Sequence, residues 1–162
     1  MKQDCHEFFE LNPDPDCLIE SMRSIGYSVE AAVADIMDNS ISANASEIHL
    51  MGVYFEGRSS LMIRDNGNGM DSDTLALSVQ IGKSTTYGSS DNFGRFGYGM
   101  IAGALTQCKL VEIYSKTENG KWNYIQYQVD KVSQGQLIEE PKEQNPPEKY
   151  TSVIKNKGTV VI

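Results

Sequence analysis

The sequence predicts an α+β domain in which antiparallel hairpins carry helices over one face. Three observations lead there. A stretch from Ser28 to about Ala43 has apolar residues at helical spacing, two pairs of β-prone segments are each joined by a Gly-bearing turn, and the chain closes on the apolar run Gly158-Thr159-Val160-Val161-Ile162.

Residues 1–16 are polar and carry Asn12-Pro13-Asp14-Pro15-Asp16, an irregular lead-in to a domain over 17–162. Cys17 to Ile25 reads as a short helix with Leu18, Met22 and Ile25 on one side, ended by Gly26. Ser28 is placed to cap a second helix, along which Val29, Ala32, Val33, Ile36, Met37 and Ser40 form one mostly apolar stripe. Glu47–Phe55 and Ser59–Arg64, joined around Glu56-Gly57-Arg58, predict a hairpin. A Gly/Asn turn after Asp65 leads to a helix from Asp71 or Ser72 to Gln80. Residues 82–99 are rich in Gly, Ser and Thr and precede a helical stretch ending near Gln107. Lys109–Lys116 and Lys121–Val129 alternate apolar and polar residues across Glu118-Asn119-Gly120, a second hairpin. Residues 139–149 read as an acidic, proline-bearing loop. An apolar strand with no polar tail reads as the cut end of a longer protein.

With 162 residues, 40% of them hydrophobic, the chain suits one domain with a single core rather than a disordered segment. Its apolar runs are a few residues long, which excludes a membrane-spanning helix, and Met1 to Glu10 shows no secretory signal. Cys5, Cys17 and Cys108 are scattered, as expected of reduced cytoplasmic thiols rather than a zinc site or disulfide frame. A net charge of −8 opposes direct binding to nucleic acid or anionic membrane. Any bound anion must therefore be held locally, by backbone NH groups, a metal ion or a few placed cations.

Three clusters have the makings of a site. In the second helix Asp35, Asp38, Asn39 and Ser42 stand at i, i+3, i+4 and i+7 and share a face. A solvated polar face is the plain alternative, but two carboxylates without a basic neighbour repel each other, and a hard divalent cation would relieve that. Next, Asp65-Asn66-Gly67-Asn68-Gly69-Met70 delivers an acid from a strand into a turn. It is either an ordinary strand-to-helix turn or an acceptor for an exocyclic amine, with glycines that let a flat ring approach the backbone. Third, Gly94-Arg95-Phe96-Gly97-Tyr98-Gly99-Met100 precedes a helical run. It is a flexible loop or a cradle of NH groups for phosphate at a helix N-terminus. Eight of the fourteen glycines fall between 67 and 103, a density suited to a loop whose backbone must approach phosphate.

Two look-alikes fail on spacing. Gly82-Lys83-Ser84-Thr85 ends like a P-loop, but Leu77 stands where that motif needs glycine and no strand precedes it. The glycines at 94, 97 and 99 have the reverse of the dinucleotide spacing, and again no apolar strand leads into them.

In this order the clusters resemble the motifs of the GHKL ATPases, the superfamily of gyrase, the large heat-shock chaperone, histidine kinases and MutL. Ala34-Asp35-Ile36-Met37-Asp38-Asn39-Ser40 is similar to the N box, Asp65 to Met70 to the DxGxG box, Gly94 to Met100 to the glycine-rich second box, and Gly158-Thr159 to the late GT strand. The resemblance runs from about Leu18 to Ile162. Within the superfamily, Ile81 to Thr85 and the N box resemble MutL- and MORC-like bacterial proteins, some of them linked to restriction-modification or phage defence.

The resemblance implies a Bergerat two-layer α/β sandwich, with a mixed, mostly antiparallel sheet and ATP between helices and sheet. It implies Asn39 as the Mg2+ ligand and Asp65 as acceptor for the adenine amine, assisted by Thr159. Gly67, Gly69 and Met70 would line the base site. Gly94, Arg95, Phe96, Gly97, Tyr98, Gly99 and Met100 would wrap the phosphates, with lid contacts from Lys83, Ser84 or Thr85. Asp35 stands where hydrolysing members carry a Glu general base, one methylene longer, and Ser42 where an Asp is common. The γ-phosphate lysine that gyrase- and MutL-like proteins supply from a following domain is missing here. Two functions follow: a slow Mg2+-dependent ATPase whose lid closure drives homodimerisation, or a non-hydrolysing ATP-gated clamp. Phosphotransfer to histidine ranks below both, since neither His6 nor His49 lies in a phosphoacceptor-like helix.

Overall fold

The computed structural model describes residues 17, 21, 23–24, 26, 28–55, 57–80, 103–104, 106–132, 138–152, 154 and 156–162. The lead-in 1–16 and the whole stretch 81–102, with Lys83 to Thr85 and Gly94 to Met100, lie outside them.

Helix α1 spans Val29–Ser42, and Ser28 caps it as the sequence predicts, its Oγ accepting from the Ala31 amide at 3.2 Å. Its C-terminus is closed by a Schellman motif: Asn44 turns to φ +57°, its amide donates to Ile41 O, and Ala45 N donates to Ser40 O. Asn tolerates that left-handed conformation better than most residues, so the helix stops here. Strands β1 (Ile48–Phe55) and β2 (Arg58–Asp65) form the first hairpin. Helix α2 (Ser72–Ser78) follows, with Asp71 Oδ1 accepting from Thr74 N at 2.8 Å; it ends two residues short of the expected Gln80. Backbone at 103–104 and 106–107 is helical, as expected of a stretch ending near Gln107. Strands β3 (Leu110–Lys116) and β4 (Asn123–Gln128) make the second hairpin, and a single helical turn, α3 (Val129–Val132), follows directly.

The segment 139–149 departs from the expected loop. It contains a two-residue strand, β5 (Lys142–Glu143), paired to Asn123 and Tyr124, and then the helical turn α4 (Glu148–Thr151). Cross-strand neighbours, which the local sequence does not announce, supply the reason: Gln144 N donates to Trp122 O at 3.1 Å, and Lys121 Nζ pairs with Glu143 at 2.8 Å.

Strand β6 (Gly158–Val161) completes a six-stranded sheet ordered β1-β2-β6-β3-β4-β5. The last strand in sequence is thus inserted at the centre, antiparallel to both β2 and β3. Every pairing among the described residues is antiparallel, so the mixed sheet expected from the resemblance is here antiparallel throughout.

Period-two alternation sorts each strand between the faces. Ile63, Val111, Ile113, Ile125, Tyr127 and Val161 join Ile36, Leu75, Val79 and Ala104 of the helical layer in the main core. The opposite face is not bare: Met62, Tyr114, Tyr124 and Val160 pack with Ile154, Trp122 and Tyr150 in a second cluster. Arg64, 6% exposed, lies on that face and donates from one terminal nitrogen to Tyr150 O at 3.1 Å and to Ser152 Oγ at 3.3 Å. It thereby ties the end of α4 to the sheet, where unpaired helix carbonyls attract a cation. The expectation of helices on one face holds for the main layer, and the segment around α4 covers part of the other.

Candidate functional site

Asp65 ends β2 at the point where the sheet, the end of α1 and the following turn converge. The residue is 6% exposed, yet its carboxylate is well supplied with donors. Ser40 Oγ donates to Oδ2 at 2.8 Å, Gly67 N donates to Oδ1 at 2.8 Å, and the Thr159 backbone amide adds a third bond. Burial raises the carboxyl pKa above its ordinary value and outweighs these bonds, which pull it down. A carboxylate has more lone pairs than these bonds use, so an acid placed in this way can accept from one further donor.

The turn after Asp65 is locked to the end of α1. Asn66 Oδ1 accepts from Ser46 N at 2.9 Å and Glu47 N at 3.0 Å, and Asn68 N donates to Ala43 O at 2.8 Å. At Gly67 a Cβ would stand 2.9 Å from Ala43 Cβ, and at Gly69, where φ is +67°, it would run into the Lys116 carbonyl. Both glycines therefore have an internal reason: Ala43 crowds the space beside Gly67, and the Lys116 backbone that beside Gly69. Met70 packs its side chain on the main core and donates its amide to Ser115 Oγ at 2.8 Å. At the rim Lys157 Nζ donates to Asn68 Oδ1 at 2.9 Å.

Strand β6 sets Thr159 opposite Asp65 on one side and opposite Ser115 on the other. Thr159 Oγ1 and Ser115 Oγ are 2.9 Å apart, and both residues are buried. Asp65, Gly67 and Thr159, chosen from the sequence, thus do meet.

On α1, Asp35, Asp38 and Asn39 are half-buried and Ser42 is exposed. Asn39 Nδ2 is buried and, among the described residues, has no hydrogen-bond partner. An orphaned buried amide one residue from Ser40 suits a polar ligand beside Asp65. No group of three or more His, Cys, Asp or Glu that would hold a metal occurs among the described residues. That donor set fits Mg2+ held by a single protein oxygen together with ligand oxygens and water, and not a closed protein cage.

Two site residues escape sequence reasoning. Ser40 lies in the mostly apolar stripe of α1, and that position is itself the signal, since a hydroxyl on a buried helix face needs a partner. Ser115 follows Val111 and Ile113 in the inward alternation of β3, where a polar residue likewise calls for a buried bond.

Comparison with known proteins agrees with this geometry. A family model described as histidine kinase-, DNA gyrase B-, and HSP90-like ATPase matches residues 27–159. The chain is 44% identical over 50 residues to the DNA mismatch repair protein MutL of Azorhizobium caulinodans, covering 31% of this chain and 8% of that protein. It is 33% identical over 95 residues to the ATPase MORC2B of Mus musculus, covering 54% and 9% respectively. It is also 28% identical over 94 residues to MutL of Chlamydia muridarum, covering 56% and 16%. The matches span only a small part of each relative's length. No helix among the described residues is long and apolar enough to cross a membrane. The chain belongs to the histidine kinase-, DNA gyrase B- and HSP90-like (GHKL) ATPase family, close to MutL and MORC.

Proposed function

We propose that this domain binds Mg2+-ATP, hydrolyses it slowly, and uses closure of residues 82–99 over the nucleotide to drive homodimerisation within a larger cytoplasmic protein. The observation that carries the reading is the buried Asp65 carboxylate, held open as an acceptor between Ser40, Gly67 and Thr159. Asp65 takes the adenine amine, and Asn39 holds Mg2+ by its amide oxygen. Mg2+, when bound, neutralises phosphate charge. Gly94 to Met100 wrap the phosphates, with Lys83, Ser84 and Thr85 at the lid, and Asp35 orients the attacking water. A part in restriction-modification or phage defence rests on the sequence resemblance alone. Direct nucleic-acid binding is opposed by the net charge of −8, so DNA contact in a mismatch-repair-like setting belongs to other regions of the parent protein.

Calorimetric titration with ADP and a non-hydrolysable ATP analogue, with and without Mg2+, tests this. Micromolar binding strengthened by Mg2+ is expected, and an empty titration refutes the proposal. Asn39→Ala is expected to remove most of the Mg2+-dependent gain while leaving the metal-free affinity for ADP within about threefold. Equal Mg2+ dependence in both proteins would take Asn39 out of the metal site.

A second reading, a non-hydrolysing ATP-gated clamp, is favoured by Asp35 being one methylene shorter than the Glu of hydrolysing members. A base must reach its water. Steady-state phosphate release separates the two. Turnover that falls about a hundredfold in Asp35→Ala supports hydrolysis through this carboxylate. Turnover no higher than that of Asn39→Ala supports the clamp.

A further inference from the structure

We infer that the open edge of β1 is a self-association surface: two copies of this chain pair their β1 strands antiparallel about a two-fold axis at Gly52, without nucleotide. The inference is independent of the nucleotide reading above.

The two edges of the sheet are built differently. At one end stands β5, two residues long and both charged, with Pro141 directly ahead of it. Short length, charge and proline are devices that keep a strand edge from pairing. At the other end stands β1, eight residues from Ile48 to Phe55 with no proline, lysine, arginine or acid. Nothing among the described residues pairs with its outer side.

The register decides which groups face outward. Glu47 O accepts from Asn66 N at 3.3 Å, one pair beyond Ile48 and Asp65, so the odd-numbered residues of β1 bond to β2. The N–H and C=O groups of Ile48, Leu50, Gly52 and Tyr54 therefore point to the open edge. The side chains of Leu50 and Tyr54 share a face with Leu61, and that face is uncovered here: Tyr54 is 76% exposed, Leu50 49% and Leu61 39%. Gly52 sits between Leu50 and Tyr54 on this face. Nothing lies within 4 Å of a Cβ built there, so no internal contact calls for glycine. A glycine inside a strand often marks the close approach of another backbone.

Charge favours a second copy as the occupant. At a net charge of −8 two copies repel each other, and β1 is the edge strand that carries no acid. A two-fold axis at Gly52 sets Gly52 opposite Gly52 and Leu50 opposite Tyr54 on both sides of it, each pair exchanging two backbone bonds. Leu50 and Tyr54 then cover each other's apolar surface, and the sheet runs on from one copy into the next. Glu47, just before β1, falls opposite Gly57, so it meets a neutral residue.

Size-exclusion chromatography with light scattering on the nucleotide-free chain tests this. A dimer is expected, with a dissociation constant on the order of 10 μM. Gly52→Pro removes an N–H that bonds nothing inside the hairpin, so the variant should fold yet dimerise at least about tenfold more weakly. Leu50→Lys should do the same by placing a charge on the edge, and it serves if the proline variant does not fold. Gly52→Cys should give an oxidised dimer beyond any that wild type forms, since opposed Cα atoms stand about 5.5 Å apart. Tyr54→Cys should not, because its counterpart lies about 14 Å away. A wild type that stays monomeric at about 200 μM overturns the inference. So does open-ended association, a dimer that both folded edge variants leave intact, or crosslinking as efficient at position 54 as at 52. Each readout is taken without nucleotide, so failure here leaves the nucleotide reading standing, and an empty ADP titration leaves this one.

Discussion

Asp65→Asn is expected to cut the affinity for ADP by at least about a hundredfold while leaving the domain folded. The amide can keep the two side-chain and turn partners of the acid, Ser40 and Gly67. Its oxygen can accept from Gly67 N, its nitrogen can donate to Ser40 Oγ, and Ser40 can turn its hydrogen fully to Ile36 O, already 3.4 Å away. What cannot be kept is an anionic acceptor facing the pocket, since an amide hydrogen there meets the purine amine head-on. Calorimetry paired with a thermal melt checks this. A folded variant that binds within about tenfold of wild type would remove Asp65 from the base site.

The same variant tests the electrostatics of burial. Desolvation raises the Asp65 pKa in the folded protein above the 3.8 of an ordinary Asp, so the native state holds this proton more tightly than the unfolded chain. The linked stability is fully present below 3.8 and is lost as pH rises through the raised native value. Wild-type stability measured relative to Asp65→Asn should therefore fall as pH is raised from about 3 to about 7. A rise over that interval would show that the bonds from Gly67, Ser40 and Thr159 outweigh desolvation.

Gly69→Ala is expected to be the most destabilising single methyl addition in the site, at about 3 kcal/mol or more. Two costs act together. The residue sits at φ +67°, and an added Cβ runs into the Lys116 carbonyl. Lys116 ends β3 and pairs with Gly158 of β6, so the obstructing backbone cannot yield without opening the centre of the sheet. Gly52→Ala is the matched control. Nothing lies within 4 Å of a Cβ built there, and alanine in a strand is expected to change stability by no more than about 1 kcal/mol, in the favourable direction. Urea unfolding of the two variants checks the contrast, and equal stabilities would mean that the turn at Gly69 adapts freely.

Much of this was legible in advance because it is local. Ser28 announces α1 by its capping chemistry, and Gly57 and Gly120 mark the two hairpins by lying between alternating segments. The DxGxG turn announces Asp65. The opposite outcome at 139–149 has the same explanation. The short β5 exists because Asn123 and Tyr124 on a neighbouring strand supply its partners, and nothing inside Lys142-Glu143 encodes that pairing. Ser40 and Ser115 each sit on an inward face, but the sequence does not say which atom a buried hydroxyl will meet. Its role appears only when the atom opposite it is known.

The sequence by itself determined the main helix and the two hairpins, which acid leads into the turn, and which family these motifs belong to. Periodicity, caps and turn residues act within a few positions of the chain. Only the tertiary structure decided that the final strand enters the middle of the sheet, so that Thr159 meets Asp65 on one flank and Ser115 on the other. That placement follows from burying two apolar faces at once. Val161 points to the main core and Val160 to the cluster beneath α4, a requirement that residues far apart in sequence impose together.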